Sequence, residues 1–207
     1  MSEMWTTIAA ERGALADDLE DLSQFEWNAR SDCEGWTVED VLAHMTSSAS
    51  LTPPTFLLDF VASGFSFPKF AEKGIAKHKG STPAETLARF RARQHSTKSP
   101  PGPKTTWLGE TIVHADDIRR PLGIHHTYPN EAVQQVLDFY KNSNTLIGTK
   151  NRIAGLTLKA TNTDWTHGSG PTVEGPILSL LIASTGRSAA LNDLRGDGVE
   201  TLRERSS

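Results

Sequence analysis

The chain has 207 residues, of which 37% are apolar and 22% are charged, and this composition is sufficient for a real hydrophobic core. Its 21 lysines and arginines are outnumbered by 25 aspartates and glutamates, so the formal net charge is -4. This mild acidity argues against nucleic acid as the main partner, because phosphate binding needs a basic surface.

The sequence carries few signals for targeting or oxidation. Its first ten residues lack the basic segment and apolar core of a signal peptide, and the longest apolar run, Pro176 to Ala183, is too short to cross a bilayer. The single cysteine, Cys33, excludes an internal disulfide framework and suits a reducing compartment. We therefore expect a cytoplasmic protein with no membrane partner.

Helical periodicity dominates the first two thirds of the chain. An opening amphipathic helix is predicted from apolar residues at helical spacing, namely Trp5, Ile8, Leu15, Leu19 and Leu22. Thr37 can cap a second helix, which carries His44 and should stop or bend near Pro53-Pro54. The acidic residues that follow Thr37 suit the positive end of that helix.

The middle of the chain predicts further helices. Residues 53–70 are apolar but interrupted by glycine and proline, which indicates a helical piece and a loop. Thr82, Pro83 and Glu85 together predict a capped helix start. After a proline-rich connector, two more helices are predicted, from about Thr105 to Arg120 and from about Asn130 to Leu146.

The pattern changes after Gly148. Residues 156–161 alternate and are rich in β-formers, so they predict a strand, and turn residues follow. A compact apolar run from Ile177 to Thr185 is interpreted as a helix, and the tail as a strand or turn with a frayed helix. We therefore predict a helix bundle over residues 1–150 and a small α/β domain over residues 151–207.

Glu110 and His114 lie four residues apart on one predicted helix. Four residues of α-helix turn the chain by about 400°, so both side chains project from one face. A carboxylate and an imidazole at that spacing can bind one divalent ion of the zinc class. His44 lies on a separate predicted helix, where the bundle core should be. Three ligands from two helices leave a coordination position open, as in a catalytic metal site.

The same residues also have simpler interpretations. A glutamate and a histidine four apart occur on many solvated helix faces. A histidine beside Leu42 and Met45 is also what a core residue with a satisfied ring nitrogen looks like. Spacing alone therefore leaves both interpretations open.

Three blocks of the sequence together resemble the mycothiol-dependent maleylpyruvate isomerase family, part of the wider DinB-like group of metal-binding proteins. The blocks run from Ser31 to His44, from Gly109 to Gly123 and from Asp164 to Arg187. They fall in the family's order and cover nearly the whole chain. The resemblance implies a mainly α fold: a DinB-like up-and-down four-helix bundle followed by a small α/β C-terminal domain.

The resemblance also implies the ligands and the cosubstrate. The family's metal-binding positions are occupied here by His44, Glu110 and His114, with zinc as the favoured divalent metal. Mycothiol, a sugar-linked cysteine thiol, is implied as the cosubstrate, and its sulfur is expected on the open metal position. A metal-bound thiol is deprotonated, which makes it a strong nucleophile at neutral pH.

Arg187 is the candidate catalytic residue that the resemblance places in the C-terminal domain. A guanidinium suits a dicarboxylate substrate or a developing enolate, because it pairs two oxygens at once. The alternative is a surface arginine that caps the end of the helix predicted from Ile177 to Thr185. Both interpretations remain open from the sequence.

Asp117 lies three residues after His114 and is a candidate supporting partner of the site. An ordinary surface ion pair with Arg119 or Arg120 is the alternative. Asp117 and Arg187 are thus the candidate cofactor-binding residues beside the metal ligands. Cys33, in a turn before a helix, is expected to be neither a ligand nor a catalytic residue.

These observations and the resemblance predict an enzyme that uses a metal-activated low-molecular-weight thiol on a small electrophilic substrate. In an isomerase the thiolate adds to an activated cis double bond, the bond rotates, and elimination gives the trans product. In an S-transferase the thiol stays attached to the electrophile. A non-catalytic metal-binding or sensor protein is the alternative from another class, since fold does not fix function. A monomer and a homodimer both fit.

Overall fold

The computed structural model describes residues 2–145 and 147–206, and it is mainly helical with one small sheet near the C-terminus. The predicted fold class is confirmed. The chain divides into two compact units, Met1–His126 and Thr127–Ser207. The sequence predicted a change near residue 150, where the periodicity switches. The units divide earlier because the helix after residue 126 packs against a helix of the C-terminal region.

The first unit is built from helices, which are α1 (Glu3–Asp18), α2 (Gln24–Trp27), α3 (Val38–Ser48), α4 (Pro53–Ala62), α5 (Phe67–His78), α6 (Pro83–Arg91) and α7 (Lys104–Arg119). Helix α3 packs against α5, α6 and α7, while α1 packs against α6 and α7. Their facing sides form a core of fully buried side chains that includes Ile8, Leu15, Leu42, Phe90 and Ile112. No described helix combines the length and the apolar character that crossing a bilayer requires.

Polar caps fix the helix starts on which the site depends. The Thr37 hydroxyl accepts the Asp40 N–H at 3.2 Å, and the Asp40 carboxylate accepts the Thr37 N–H at 3.0 Å, so α3 begins as predicted. At α6 the Thr82 hydroxyl accepts the Glu85 N–H at 3.2 Å. The Glu85 carboxylate, however, accepts from Ser81 rather than from Thr82. The predicted reciprocal cap is therefore shifted by one residue.

The segment between α3 and α6 holds more helix than predicted. Helix α3 already ends at Ser48, and Pro53 starts α4 instead of bending α3. The structure has two helices, α4 and α5, where the sequence predicted one helical piece and a loop. A tight turn with left-handed backbone at Gly64 and Phe65 separates the two helices. Helix α4 buries none of its residues and exposes several large apolar side chains, notably Leu57 and Leu58.

The second unit combines short helices with a three-stranded sheet, and its elements are α8 (Asn130–Tyr140), α9 (Thr149–Arg152), β1 (Thr157–Ala160), β2 (Thr166–Gly168), β3 (Thr172–Gly175), α10 (Ile177–Ser184), a 3₁₀ turn (Ser188–Asp193) and α11 (Val199–Glu204). Strand β1 is central, antiparallel to β2 and parallel to β3. The predicted strand and the predicted apolar helix are confirmed. Helix α8 ends before the predicted limit, and Leu146 lies outside the described residues.

Candidate metal centre

His44 reaches the site from α3, the helix whose start is fixed by the Thr37 cap. Its ring centroid lies 4.9 Å from that of Trp36 and 5.0 Å from that of His114, which it meets edge-on. Burial and, to a smaller extent, the charge of His114 together lower the pKa of His44 to about 3, although the charge of Asp117 opposes them. His44 is therefore neutral at physiological pH, which is the form that offers a ring nitrogen to a metal.

Glu110 and His114 project into the same place from α7, one helical turn apart. One potential ligand atom each from His44, Glu110 and His114 lies within 4.8 Å of the other two. Around one zinc ion, ligand atoms at ordinary bond lengths would be about 3.4 Å apart in a tetrahedral arrangement. The structure thus brings the three predicted ligands together at a separation that small side-chain movements can close.

Glu110 supplies an independent test of whether a cation fits. Its side-chain oxygen Oε1 is buried and has no hydrogen-bond partner among the described residues. Burial raises the pKa of Glu110, and the charges of His114 and Arg12 and a hydrogen bond from Ser48 oppose that rise only in part. A buried acceptor left unsatisfied costs about 1–3 kcal/mol, and more when it is charged. A divalent cation held by His44, Glu110 and His114 would satisfy this oxygen, so the residues fit a metal.

Asp117 orients His114 from the next turn of α7. Its carboxylate oxygen Oδ2 lies 2.9 Å from Nδ1 of His114, and its side chain has 0% exposure. A solvated ion pair with Arg119 or Arg120 would require an exposed Asp117 side chain, whereas this side chain is buried. Because Asp117 accepts from Nδ1–H, the lone pair of His114 is left on Nε2. The structure thus places Asp117 against His114, and the supporting role of Asp117 stays a prediction.

Cys33 lies nearer to the centre than sequence reasoning allowed. Its sulfur belongs to a second group of potential ligand atoms, with His114 and Asp117, that also lie within 4.8 Å of one another. The loop that carries Cys33 is tied to α7, since the Asp32 N–H donates to the Asp117 carbonyl at 3.0 Å. No spacing rule reveals this approach, because it depends on how the loop before α3 meets α7.

Arg187 belongs to the second unit and follows the end of α10. Gly186 precedes it with a left-handed backbone (φ +97°), which ends the helix in a common way. The Arg187 guanidinium donates to the Thr185 carbonyl at 3.5 Å, whereas Arg152 donates to the Ser184 carbonyl at 2.8 Å. Both arginines therefore contact the end of α10, and the role of Arg187 stays a prediction.

Comparison with known proteins finds a family model that matches the first part of the chain. Residues 8–99 match the family model described as the mycothiol maleylpyruvate isomerase N-terminal domain. The resemblance is confirmed.

The solved structures of the mycothiol-dependent maleylpyruvate isomerase have the same fold as this chain. One of them matches this chain with a TM-score of 0.63 and 17% identity, and the match covers 94% of this chain and 92% of the isomerase chain. A histidine-to-alanine mutant of that isomerase gives a TM-score of 0.64 at 15% identity over the same shares. No curated protein matches the chain.

The family model and the structural match do not cover the three potential ligands equally. The family model includes His44 but ends before Glu110 and His114. The structural likeness covers nearly the whole chain and shows the shared fold. The assignment of His44, Glu110 and His114 as potential ligands therefore rests on the distances between their atoms in this chain.

Proposed function

We propose that this chain is a metal-dependent enzyme that uses mycothiol to isomerise a small electrophilic alkene of the maleylpyruvate type. The observation that carries the proposal is the convergence of His44, Glu110 and His114 around a buried carboxylate oxygen without a partner. The maleylpyruvate isomerase fold and the matching N-terminal domain support the mycothiol-dependent class.

The three residues would hold a divalent metal, with zinc favoured by a set of two imidazoles and one carboxylate. Such a metal acts as a Lewis acid that keeps a bound thiol deprotonated at neutral pH. Three protein ligands leave room for one exogenous sulfur, which is the requirement for a thiol cosubstrate. The donor set thus suits catalysis better than a closed structural site.

The chain's own side chains prepare this arrangement before a ligand arrives. The depressed pKa of His44 keeps its ring neutral, so no proton has to leave when it binds a cation. Asp117 holds His114 in one tautomer and one orientation through a contact shielded from water. Trp36 packs beside His44 and limits the positions that this ring can adopt.

The proposed reaction leaves the thiol unchanged. The thiolate sulfur bonds to one alkene carbon, and the alkene electron pair moves onto the conjugated carbonyl oxygen as an enolate. The former double bond rotates, the electron pair returns, and the carbon–sulfur bond breaks to release the thiolate and the trans product. A cation that pairs with the developing enolate lowers this barrier, because that oxygen carries more negative charge in the transition state than in the bound substrate.

We assign that cation to Arg187. A guanidinium can pair two oxygens of a dicarboxylate or an enolate at once. Support comes from the family resemblance, which implies a catalytic arginine at this position of the C-terminal domain.

The proposal is tested by measuring metal content and turnover in the same preparations. We expect about one divalent ion per chain in the unmodified protein. We also expect loss of the ion in His44→Ala, Glu110→Ala and His114→Ala without unfolding, because each removes one of three ligands. His95→Ala is the matched control, since His95 is exposed and outside the centre. Turnover of maleylpyruvate with mycothiol is followed by proton NMR, in which cis and trans vinyl couplings differ.

Each outcome of this experiment decides between stated alternatives. A trans product that requires mycothiol and is lost with the metal supports the isomerase. Accumulation of a thiol adduct would replace the isomerase with an S-transferase. Full metal occupancy in all three variants would refute the centre, and metal binding with no mycothiol affinity by calorimetry would favour a non-catalytic metal protein. Unfolding of the variants on metal loss would make the ion structural.

A further inference from the structure

The first unit contains a cavity that the three candidate metal ligands do not line. Its volume is about 440 Å³, and side chains from α3, α4, α5 and the chain just after α6 line it. None of His44, Glu110 and His114 is among the described residues that line this space. The volume lies within the range of small-molecule sites, which spans about 300–1,000 Å³.

The charge of this cavity is opposite to that of the whole chain. Lys73, Lys77, His78 and Arg93 line it, and Asp59 is the one acidic residue among the lining residues described. With histidine neutral, the lining carries a surplus of two positive charges, although the chain as a whole has a net charge of -4. A concave site with one sign of charge concentrates ions of the other sign.

Two of these cations are available for a ligand. Within residues 2–145 and 147–206, neither Lys77 nor Arg93 has a carboxylate within ion-pair distance of its side chain. The same region of the chain normally pairs its arginines: Arg89 contacts Glu85, and Arg91 contacts Asp17 and Glu20, the latter pair at 2.7 and 2.9 Å. Arg93 therefore differs from these neighbours, because it lines a cavity and does not pair with a carboxylate of the described residues.

The remaining cation and the histidine agree with a positive site. Lys73 donates to the Ala62 carbonyl at 2.6 Å, which holds the ammonium at the edge of the cavity. Partial burial lowers the pKa of His78, and the charges of Lys77 and Arg93 lower it further. A neutral His78 can still donate one N–H to an oxyanion.

We propose that this cavity binds a compact dianion, a phosphate monoester or a small dicarboxylate, with Arg93 and Lys77 as its main contacts. Both ligand classes present two or more oxygens with a charge near -2, which a guanidinium and an ammonium recognise together. His78 can add a hydrogen bond from its ring N–H. The site does not depend on the metal or on the proposed isomerase activity.

The test uses inorganic phosphate and malonate as probes of the full-length protein. Binding is measured by calorimetry, and the His78 imidazole resonances are followed by NMR during each titration. Arg93→Gln and Lys77→Gln each remove one charge-assisted contact and should weaken binding about tenfold or more. Lys69→Gln is the matched control, because Lys69 is exposed on the same helix as Lys77 but does not line the cavity. It should change the affinity less than twofold.

The two probes and the variants separate the possible outcomes. Tighter phosphate binding assigns the site to phosphate monoesters, and tighter malonate binding assigns it to dicarboxylates. No saturable binding of either probe at tens of millimolar overturns the proposal, as does an equal loss in Lys69→Gln. Anion binding at the metal centre would survive both Arg93→Gln and Lys77→Gln, and that result also overturns it. If Arg93→Gln does not fold, Lys77→Gln decides the question, since Lys77 is exposed.

Discussion

Replacing Asp117 with asparagine should weaken metal binding without removing a ligand. Asp117 holds Nδ1 of His114 at 2.9 Å and is inaccessible to water. The asparagine loses the negative charge that makes the imidazole a better donor. If its amide NH₂ faces Nδ1, it also forces the His114 proton onto Nε2, the nitrogen that should bind the metal. Both effects act on the affinity through His114.

The expected loss for Asp117→Asn is about 10- to 100-fold in metal affinity, or about 1.4–2.7 kcal/mol. The upper half of that range is favoured because the contact is fully buried, so water cannot replace it. The backbone carbonyl of residue 117 still accepts the Asp32 N–H, which keeps the loop before α3 in place. The affinity is measured by competition with a coloured zinc chelator, and circular dichroism checks the fold.

Asp116→Asn is the control for that experiment. Asp116 is the adjacent residue on α7, is also largely buried, and accepts from Arg120 Nε at 2.9 Å. The substitution makes the same change of charge but leaves His114 untouched, so we expect an affinity within about twofold of the unmodified protein. Equal losses in both variants, or no loss in a folded Asp117→Asn, would refute the orienting role of Asp117.

Three further predictions follow from other parts of the structure. Arg187→Ala should keep metal and thiol affinity but lower kcat about 100- to 1,000-fold, and unchanged kcat would refute its catalytic assignment. Partial burial opposes ionisation of Asp40, but Lys79 and the α3 cap outweigh it and hold the pKa of Asp40 below 3.8. The stabilisation that the ionised Asp40 carboxylate provides is therefore complete above pH 3.8 and is lost as the pH falls through the lowered pKa. Urea unfolding should show that Asp40→Asn lowers the free energy of unfolding at about pH 6 and lowers it progressively less on acidification. The buried Thr86 hydroxyl joins the Gly80 N–H to the Glu39 carboxylate at 2.8 Å each, so Thr86→Val should cost about 1–3 kcal/mol in urea unfolding, and a change near zero would contradict this.

Sequence patterns predicted the elements whose signals are local. The α3 start depends on Thr37 and Asp40, which are three residues apart, and it formed as expected. The strand over residues 157–160 follows from alternation together with a local enrichment in β-forming residues. The division between the compact units could not be predicted in this way, because it depends on α8 packing against α10 across some forty residues of chain.

The candidate site likewise combines features that local spacing predicts with contacts that depend on the tertiary fold. The one-turn spacing of Glu110 and His114 is a local property of α7. Their partner His44 was proposed from its place in the predicted bundle core, and the family resemblance then implied the same residue. The approach of Cys33 to His114 and Asp117 depends on how the loop before α3 docks on α7. The cationic cavity escaped sequence analysis because Lys77 and Arg93 come from separate elements and lack any characteristic spacing.

Helix α4 has a consequence for how the protein opens in solution. A helix that buries none of its residues can separate from the rest at a small cost in free energy, well below that of global unfolding. Its amide protons should therefore exchange early, and its exposed Leu57 and Leu58 offer a protease with chymotrypsin-like preference an early cut. Because no candidate ligand lies between Pro53 and Ala62, such a nick should leave the metal in place.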